Sequence, residues 1–160
     1  MIVVSDTTPI TTLLKAGEVE LLQMLFGSII IPRAVADELL VFHGQLPAFV
    51  SVRPVSDPIR LPPGIERLGR GETEAIQLAV EVGADILLTD DRKARTAATS
   101  IGLKCTGLLG LLVRAKQTKQ LSSVRTMIEV LEKKGGLYLS DEVKAEAMRI
   151  AGEQGGITAP

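Results

Sequence analysis

The chain has 160 residues, a length that suits one domain with a single hydrophobic core. Its 46% of apolar residues excludes general disorder, and its 2% of aromatic residues requires an aliphatic core. The net charge of −1 gives no overall attraction to nucleic acid, and the single cysteine and single histidine exclude an internal disulfide and a zinc cage.

Short apolar runs alternate with helical patterns along the chain. Strands are predicted at IVVSD, SIIIP and ADILLTD, with strand-like alternation in FVSVRPV and a possible further strand at LKCTG. Helices are predicted, in chain order, at TPITTLLKAG, EVELLQMLFG, RAVADELLVF, GRGETEAIQLAVEVG, DRKARTAATSIG, LLGLLVRAKQTKQ, SVRTMIEVLEKKG and SDEVKAEAMRIAG. Thr8 and Pro9 are expected as the cap and first residue of the first helix, and Ser140 as the cap of the last. This alternation predicts an α/β fold with a parallel sheet and helices on both of its faces.

The chain shows no internal repeat and no linker, so one domain is expected over residues 1–151, followed by a frayed tail over residues 152–160. The stretch MIVVSDTTPI lacks the basic and long apolar regions of a signal peptide, and no apolar run reaches membrane-spanning length. We therefore expect a soluble, cytoplasmic protein that makes no membrane contact.

Acidic residues follow two of the predicted strands. Asp6 ends the first strand, and Asp90 with Asp91 ends the ADILLTD strand. In a parallel α/β sheet, ligands bind beyond the carboxyl ends of the strands. Asp is also a common turn residue, which gives each of these acids a structural alternative.

Two glutamates occur on apolar helical stripes. Glu38 shares helical spacing with Val35 and Phe42, and Glu72 has the same relation to Ile76. Glu72 could instead complement the dipole of its helix. The neighbouring acids, Asp37 and Glu74, are expected on the solvated sides of their helices. Carboxylates that converge on one sheet edge repel each other unless a cation lies between them, and oxygen ligands favour Mg²⁺ or Mn²⁺.

Several stretches of the chain together resemble the PIN-domain nucleases, in particular the branch close to VapC-type toxins. They are VVSDTTPI, IIIPRAVADELL, GRGETEAIQLA, LLTDDRKARTAA and GLKCTGLLGLLVRAKQTKQL. The resemblance implies a PIN-like three-layer α/β/α sandwich with a mainly parallel central sheet. It also implies a ribonuclease that depends on Mg²⁺ or Mn²⁺, a small antitoxin protein as partner, and a homodimer.

By position in the resembling stretches, the family's acids fall on Asp6, Glu38, Glu72 and Asp91. Asp91 follows the strand-ending Thr by two positions, and Asp90 could replace it or coordinate beside it. The family's small hydroxyl residue near the first acid corresponds to Thr7 or Ser5, of which we prefer Thr7 because it leads into the loop.

Basic residues follow the acid pair at Arg92, Lys93 and Arg95. They could bind the phosphates of an RNA substrate, or they could form an ordinary solvated helix face. Two alternatives to the nuclease remain at this point. One is a receiver-like phosphoryl-transfer domain, although receivers have the acid pair after the first strand. The other is a catalytically silent PIN-like module that binds proteins.

Overall fold

The structure, a computed structural model, describes residues 1–56 and 68–153. The strands are β1 Val3–Ser5, β2 Ile29–Ile31, β3 Val50–Val52, β4 Ile86–Leu88 and β5 Cys105–Thr106. The helices are α1 Thr7–Ala16, α2 Glu20–Phe26, α3 Arg33–His43, α4 Arg70–Val82, α5 Arg92–Ser100, α6 Leu108–Gln117, α7 Val124–Lys134 and α8 Asp141–Ile150. All five predicted strands are therefore present, including the strand-like FVSVRPV and LKCTG segments.

The five strands form one sheet in the order β3-β2-β1-β4-β5, and every pair is parallel. Strand β1 is central. From it the chain adds β2 and β3 on one side of the sheet and then β4 and β5 on the other. Such a switch point leaves a crevice beyond the carboxyl end of the central strand, where ligands bind in α/β folds. Asp6 follows β1 directly at this crevice.

Successive side chains of each short strand lie on opposite faces of the sheet and pack into two aliphatic cores. Val3, Ile29 and Leu88 pack with helices that include α1, α3, α6 and α7, whereas Val4 and Leu87 pack with α4 and α5 on the opposite face. This alternation follows from the two-residue repeat of a strand. The result is the expected α/β/α sandwich. Across the described part of the chain, no helix is long and apolar enough to cross a membrane.

Two local expectations are wrong. Helix α1 begins at Thr7 with Asp6 in the cap position, rather than at Pro9 after Thr8. A proline fits the third helical position as well as the first, because the first turn needs no amide donors. Phe42 lies on the stripe of Glu38 but is 68% exposed, since the last turn of α3 does not pack into the core. Ser140 caps α8 as expected, by accepting a hydrogen bond from the Val143 amide.

The expected frayed tail falls mostly on residues 154–160, which lie outside the described residues. Glu153, however, is well held. Its Oε2 accepts hydrogen bonds from the Val124 amide at 2.7 Å and from Lys116 Nζ at 2.9 Å. The ordered contacts of the chain thus continue at least to this residue. Residues 57–67, which precede α4 in the chain, also lie outside the described residues.

Candidate active site

Asp6 lies where β1 and β4 end side by side. The register pairs Ser5 with Leu88, and the Asp6 amide donates to the Leu88 carbonyl at 3.0 Å. This pairing brings the next residue of β4, Thr89, against the Asp6 side chain. The Thr89 hydroxyl donates a hydrogen bond to Asp6 Oδ2 over 2.5 Å.

The Asp6 carboxylate is almost completely buried, at 4% exposure. Its Oδ1 has no hydrogen-bond partner among the described residues, and the side chain does not cap α1. Burial raises the pKa of Asp6 to about 7; the Thr89 hydrogen bond opposes this rise, and the charges of Asp90, Glu72 and Asp91 add to it. A buried acid with a free oxygen is costly unless a ligand binds it.

Asp90 and Asp91 each accept a hydrogen bond at the start of a helix. Asp91 Oδ1 accepts from the Ala94 amide at 2.8 Å in α5, and Asp90 Oδ1 accepts from the Leu108 amide at 2.8 Å in α6. Burial raises the pKa of Asp90, although the Leu108 amide and the charge of Arg95 oppose the rise. The expected turn role of the pair is therefore real, and it leaves the second oxygen of each carboxylate for another ligand.

Glu38 reaches the site through Thr7. The Thr7 hydroxyl donates to Glu38 Oε2 at 2.7 Å. A side chain at Gly71 would displace the Glu38 carboxylate, because its Cβ would lie 2.9 Å from Glu38 Oε1. The first turn of α4 therefore approaches α3 closely, and it carries Glu72, whose charge acts on Asp6. The charges of Glu72, Asp90 and Asp91 thus act on Asp6, and Glu38 contacts Thr7, the residue that follows Asp6.

The hydroxyl residue that contacts Asp6 is Thr89, for which the sequence predicted no contact with an acid. Thr7, the expected hydroxyl residue, contacts Glu38 instead. Thr89 also accepts a hydrogen bond from the Asp91 amide at 3.3 Å, so it joins the acids that follow β1 and β4. A buried Thr at a strand end beside an acid pair is the signal that could have identified it.

Glu74 contradicts its expected solvated position. Its Oε1 accepts from the Ala34 amide at 3.1 Å, and its Oε2 pairs with Arg70 Nε at 2.9 Å. The side chain keeps only 20% of its exposure. Because α3 has no cap of its own at Pro32, Glu74 from α4 satisfies its first turn. Glu74 is a structural tie between the helices of Glu38 and Glu72.

The predicted basic residues divide into two groups. Arg92 and Arg95 line a groove of about 700 Å³ along α5, together with Asp90 and Thr99. We refer to it as the α5 groove. Lys93 is exposed on the same helix but does not line this groove. Cationic side chains at a groove that ends in Asp90 provide sites for phosphates next to the acids.

The donor set fits a divalent cation. Within residues 1–56 and 68–153, no three acidic, His or Cys side chains lie close enough together to form a metal site as they stand. Asp6 Oδ1 nevertheless has no partner among the described residues, the charges of Asp90, Glu72 and Asp91 act on the Asp6 carboxyl, and the donors are all oxygens. Oxygen ligands of this type suit Mg²⁺ or Mn²⁺, which would relieve the repulsion and draw the carboxylates together.

The family model described as DUF3368, PIN domain, matches residues 2–153. The chain belongs to the PIN-domain family. PIN domains are generally nucleases that use divalent metal ions, which agrees with the acidic crevice and sets aside the receiver-like alternative. No curated protein sequence matches this PIN domain.

A solved structure supports the fold of this PIN domain. The chain is similar to a PilT N-terminus domain protein, SSO1118, from the archaeon Sulfolobus solfataricus P2. The TM-score is 0.56 at 24% identity, and the match covers 72% of this chain and 93% of that one. At this identity the likeness concerns the fold.

Proposed function

We propose that this PIN domain is an endoribonuclease that depends on Mg²⁺ or Mn²⁺ and hydrolyses RNA phosphodiester bonds. The observation that carries the proposal is the buried Asp6, whose Oδ1 has no hydrogen-bond partner within residues 1–56 and 68–153 and whose charge is opposed by three other acids. The fold does not require this arrangement, because apolar side chains in place of the acids would pack there at a lower cost in free energy. A cation site accounts for it.

Each acid has a distinct part in the proposed site. Asp6 would hold the cation with Asp91 and Glu72, and Asp90 would join them through its second oxygen. Glu38, oriented by Thr7, would complete the acidic wall. The bound cation would supply charge neutralisation at the phosphate and a lower pKa for the attacking water.

The remaining side chains position the substrate. Arg92 and Arg95 in the α5 groove would bind phosphates of the RNA strand and hold it in register with Asp6. The scarcity of aromatic residues, 2% of the chain, argues against an extended stacking platform. Binding would therefore depend strongly on salt concentration.

We further propose that the protein is cytoplasmic, acts as the toxin of a toxin–antitoxin pair and forms a homodimer. The support is the resemblance to the VapC-type branch and the presence of exposed apolar side chains. Met24 on α2 is 53% exposed, and α6 and α8 enclose an apolar groove lined by Leu109 and Val113. Light scattering of the purified protein tests the homodimer, and co-purification with the product of a neighbouring small open reading frame tests the toxin–antitoxin pair.

The test of the proposed activity is cleavage of a mixed RNA pool with Mg²⁺ or Mn²⁺, with and without EDTA. Water as the nucleophile leaves 5′-phosphate or 3′-phosphate ends and no 2′,3′-cyclic phosphate, which distinguishes the reaction from that of common contaminating ribonucleases. Asp6→Asn should abolish cleavage, and Asp37→Asn, on the exposed side of α3, should not. Cleavage that persists in excess EDTA would contradict the proposal, and a complete lack of cleavage with either metal would favour the silent module.

A further inference from the structure

A second cavity, of about 320 Å³, adjoins the acidic crevice on the side of α6 and α8. Asp90 and Arg95 form its polar edge, and Leu137, Leu139 and Val143 contribute an apolar wall. We call it the Leu139 cavity. Asp90 and Arg95 also line the α5 groove, so the two spaces meet at these side chains.

Gly107 keeps this junction open. A Cβ at this position would lie 2.6 Å from Asp90 Oδ1 and 3.1 Å from Arg95 Nη1. Any side chain here would displace the two residues that the groove and the cavity share. Gly107 thus lies directly against the two side chains that the α5 groove and the Leu139 cavity share.

The apolar wall of the cavity suits a flat ring better than a phosphate. Its apolar wall, which includes Leu137, Leu139 and Val143, cannot solvate a charge. A ring with an apolar face and polar edges could instead pack on Leu139 and stack on the planar guanidinium of Arg95. A volume near 320 Å³ is at the lower end of the range for small-ligand pockets, which is enough for one nucleobase.

The cavity and the α5 groove together fit one stretch of a nucleic-acid strand. If Arg92 and Arg95 bind the phosphates of the strand, an attached base lies near Asp90, where the α5 groove meets the Leu139 cavity. We propose that the Leu139 cavity receives one unstacked base of the RNA strand beside the phosphodiester bond that is cut. This proposal rests on the proposed function and adds a base-binding subsite to it.

The test separates base binding from cleavage by measuring binding in EDTA at low salt. The probes are two fluorescein-labelled 12-mers, an oligoadenylate and an abasic ribose-phosphate strand of equal charge, followed by fluorescence anisotropy. The native protein should bind the oligoadenylate at least about fivefold more tightly, which is the usual effect of one base contact. Equal affinities for the two strands, or no binding of either, would overturn the proposal.

Val143→Trp should fill the cavity and remove this preference, while the abasic strand binds as before. Val143 is 43% exposed on α8, so the larger side chain is compatible with folding. Val80→Trp is the matched control, because Val80 is 40% exposed in the last turn of α4, at the far end of that helix from Glu72. A preference that survives Val143→Trp unchanged would contradict the cavity as the base site.

The same proteins are then assayed for cleavage with Mg²⁺. If the base preference is present in EDTA but the native protein does not cut RNA, the proposed function fails and the base site stands. If RNA is cut but the abasic strand binds as tightly as oligoadenylate, the nuclease stands and the base site fails.

Discussion

The Thr89 hydroxyl holds the carboxylate of Asp6, a residue 83 positions earlier, through a 2.5 Å hydrogen bond. In the part of the chain that the structure describes, it is the one donor to Asp6 Oδ2, and it opposes the rise in the Asp6 pKa caused by burial. Thr89 therefore favours the ionised form of Asp6 that a cation would need.

Thr89→Val should weaken metal binding without changing the shape of the side chain. The loss of the hydroxyl raises the Asp6 pKa further above 7, and each unit of pKa lowers the ionised fraction at neutral pH by about tenfold. We expect about a tenfold loss of activity at pH 7 and limiting Mg²⁺, which shrinks as the pH rises to 9. Thr89→Ser keeps the hydroxyl and serves as the control. An equal loss at every pH would indicate that Thr89 acts only in packing.

Asp6→Asn should make the metal-free protein more stable above neutral pH. The Asp6 pKa rises from 3.8 to about 7 on folding, so the folded state binds the proton more tightly between these values. The free energy of unfolding therefore falls as the pH rises through this window, by an amount on the order of 4 kcal/mol. Asp6→Asn removes this pH-dependent fall, so the free energies of unfolding of the two proteins should be similar near pH 4.

Urea unfolding in EDTA at pH 5 and pH 8 measures the effect, with Asp37→Asn as the control. Excess Mg²⁺ should then reverse the order of stability at pH 8, because the native protein binds the ion better. If Asp6→Asn is clearly less stable than the native protein in EDTA at pH 8, Asp6 has a structural role first.

Asp91→Asn should reduce activity more than Asp90→Asn. Asparagine keeps an oxygen for the helix amides at Ala94 and Leu108, so both variants should fold. The positive charge of Arg95 partly neutralises Asp90. Asp91, in contrast, is tied to Thr89, because its backbone amide donates a hydrogen bond to the Thr89 hydroxyl. The charge of Asp90 raises the Asp6 pKa more than the charge of Asp91 does, which by itself would favour Asp90 as the more important acid. The two variants therefore distinguish the two acids. Rates at saturating Mg²⁺ decide it, and a larger loss in Asp90→Asn would make Asp90 the principal ligand.

Glu74→Ala should destabilise the fold by about 1 kcal/mol, the usual cost of losing a helix cap. Its carboxylate satisfies the Ala34 amide at the start of α3 and pairs with Arg70. The exposed ion pair contributes little, so the cap should account for most of the effect. Arg70→Ala breaks the ion pair alone and provides the comparison in thermal unfolding. Equal effects of the two substitutions would show that the cap contributes nothing.

Sequence periodicity was sufficient for the strands, the layer order and the positions of the acids at strand ends. It could not identify the Thr89–Asp6 contact, because this depends on the register of β1 against β4 rather than on local spacing. It also misplaced Glu74, since a helical pattern gives the face of a residue but not the neighbour that covers that face. The Thr8–Pro9 cap failed because proline is equally compatible with several first-turn positions.

The central position of β1 has a consequence for the order in which the protein is made. The ribosome adds Asp6 before any of the other acids of the crevice, but β1 can pair with β4 only after residues 86–88 have been added. Asp90 acquires its α6 contact later still, at Leu108. A nascent chain or a prematurely terminated product that stops before β4 therefore carries Asp6 and Glu38 without an assembled crevice. The acids that follow β1 and β4 therefore come together only once more than half of the chain has left the ribosome.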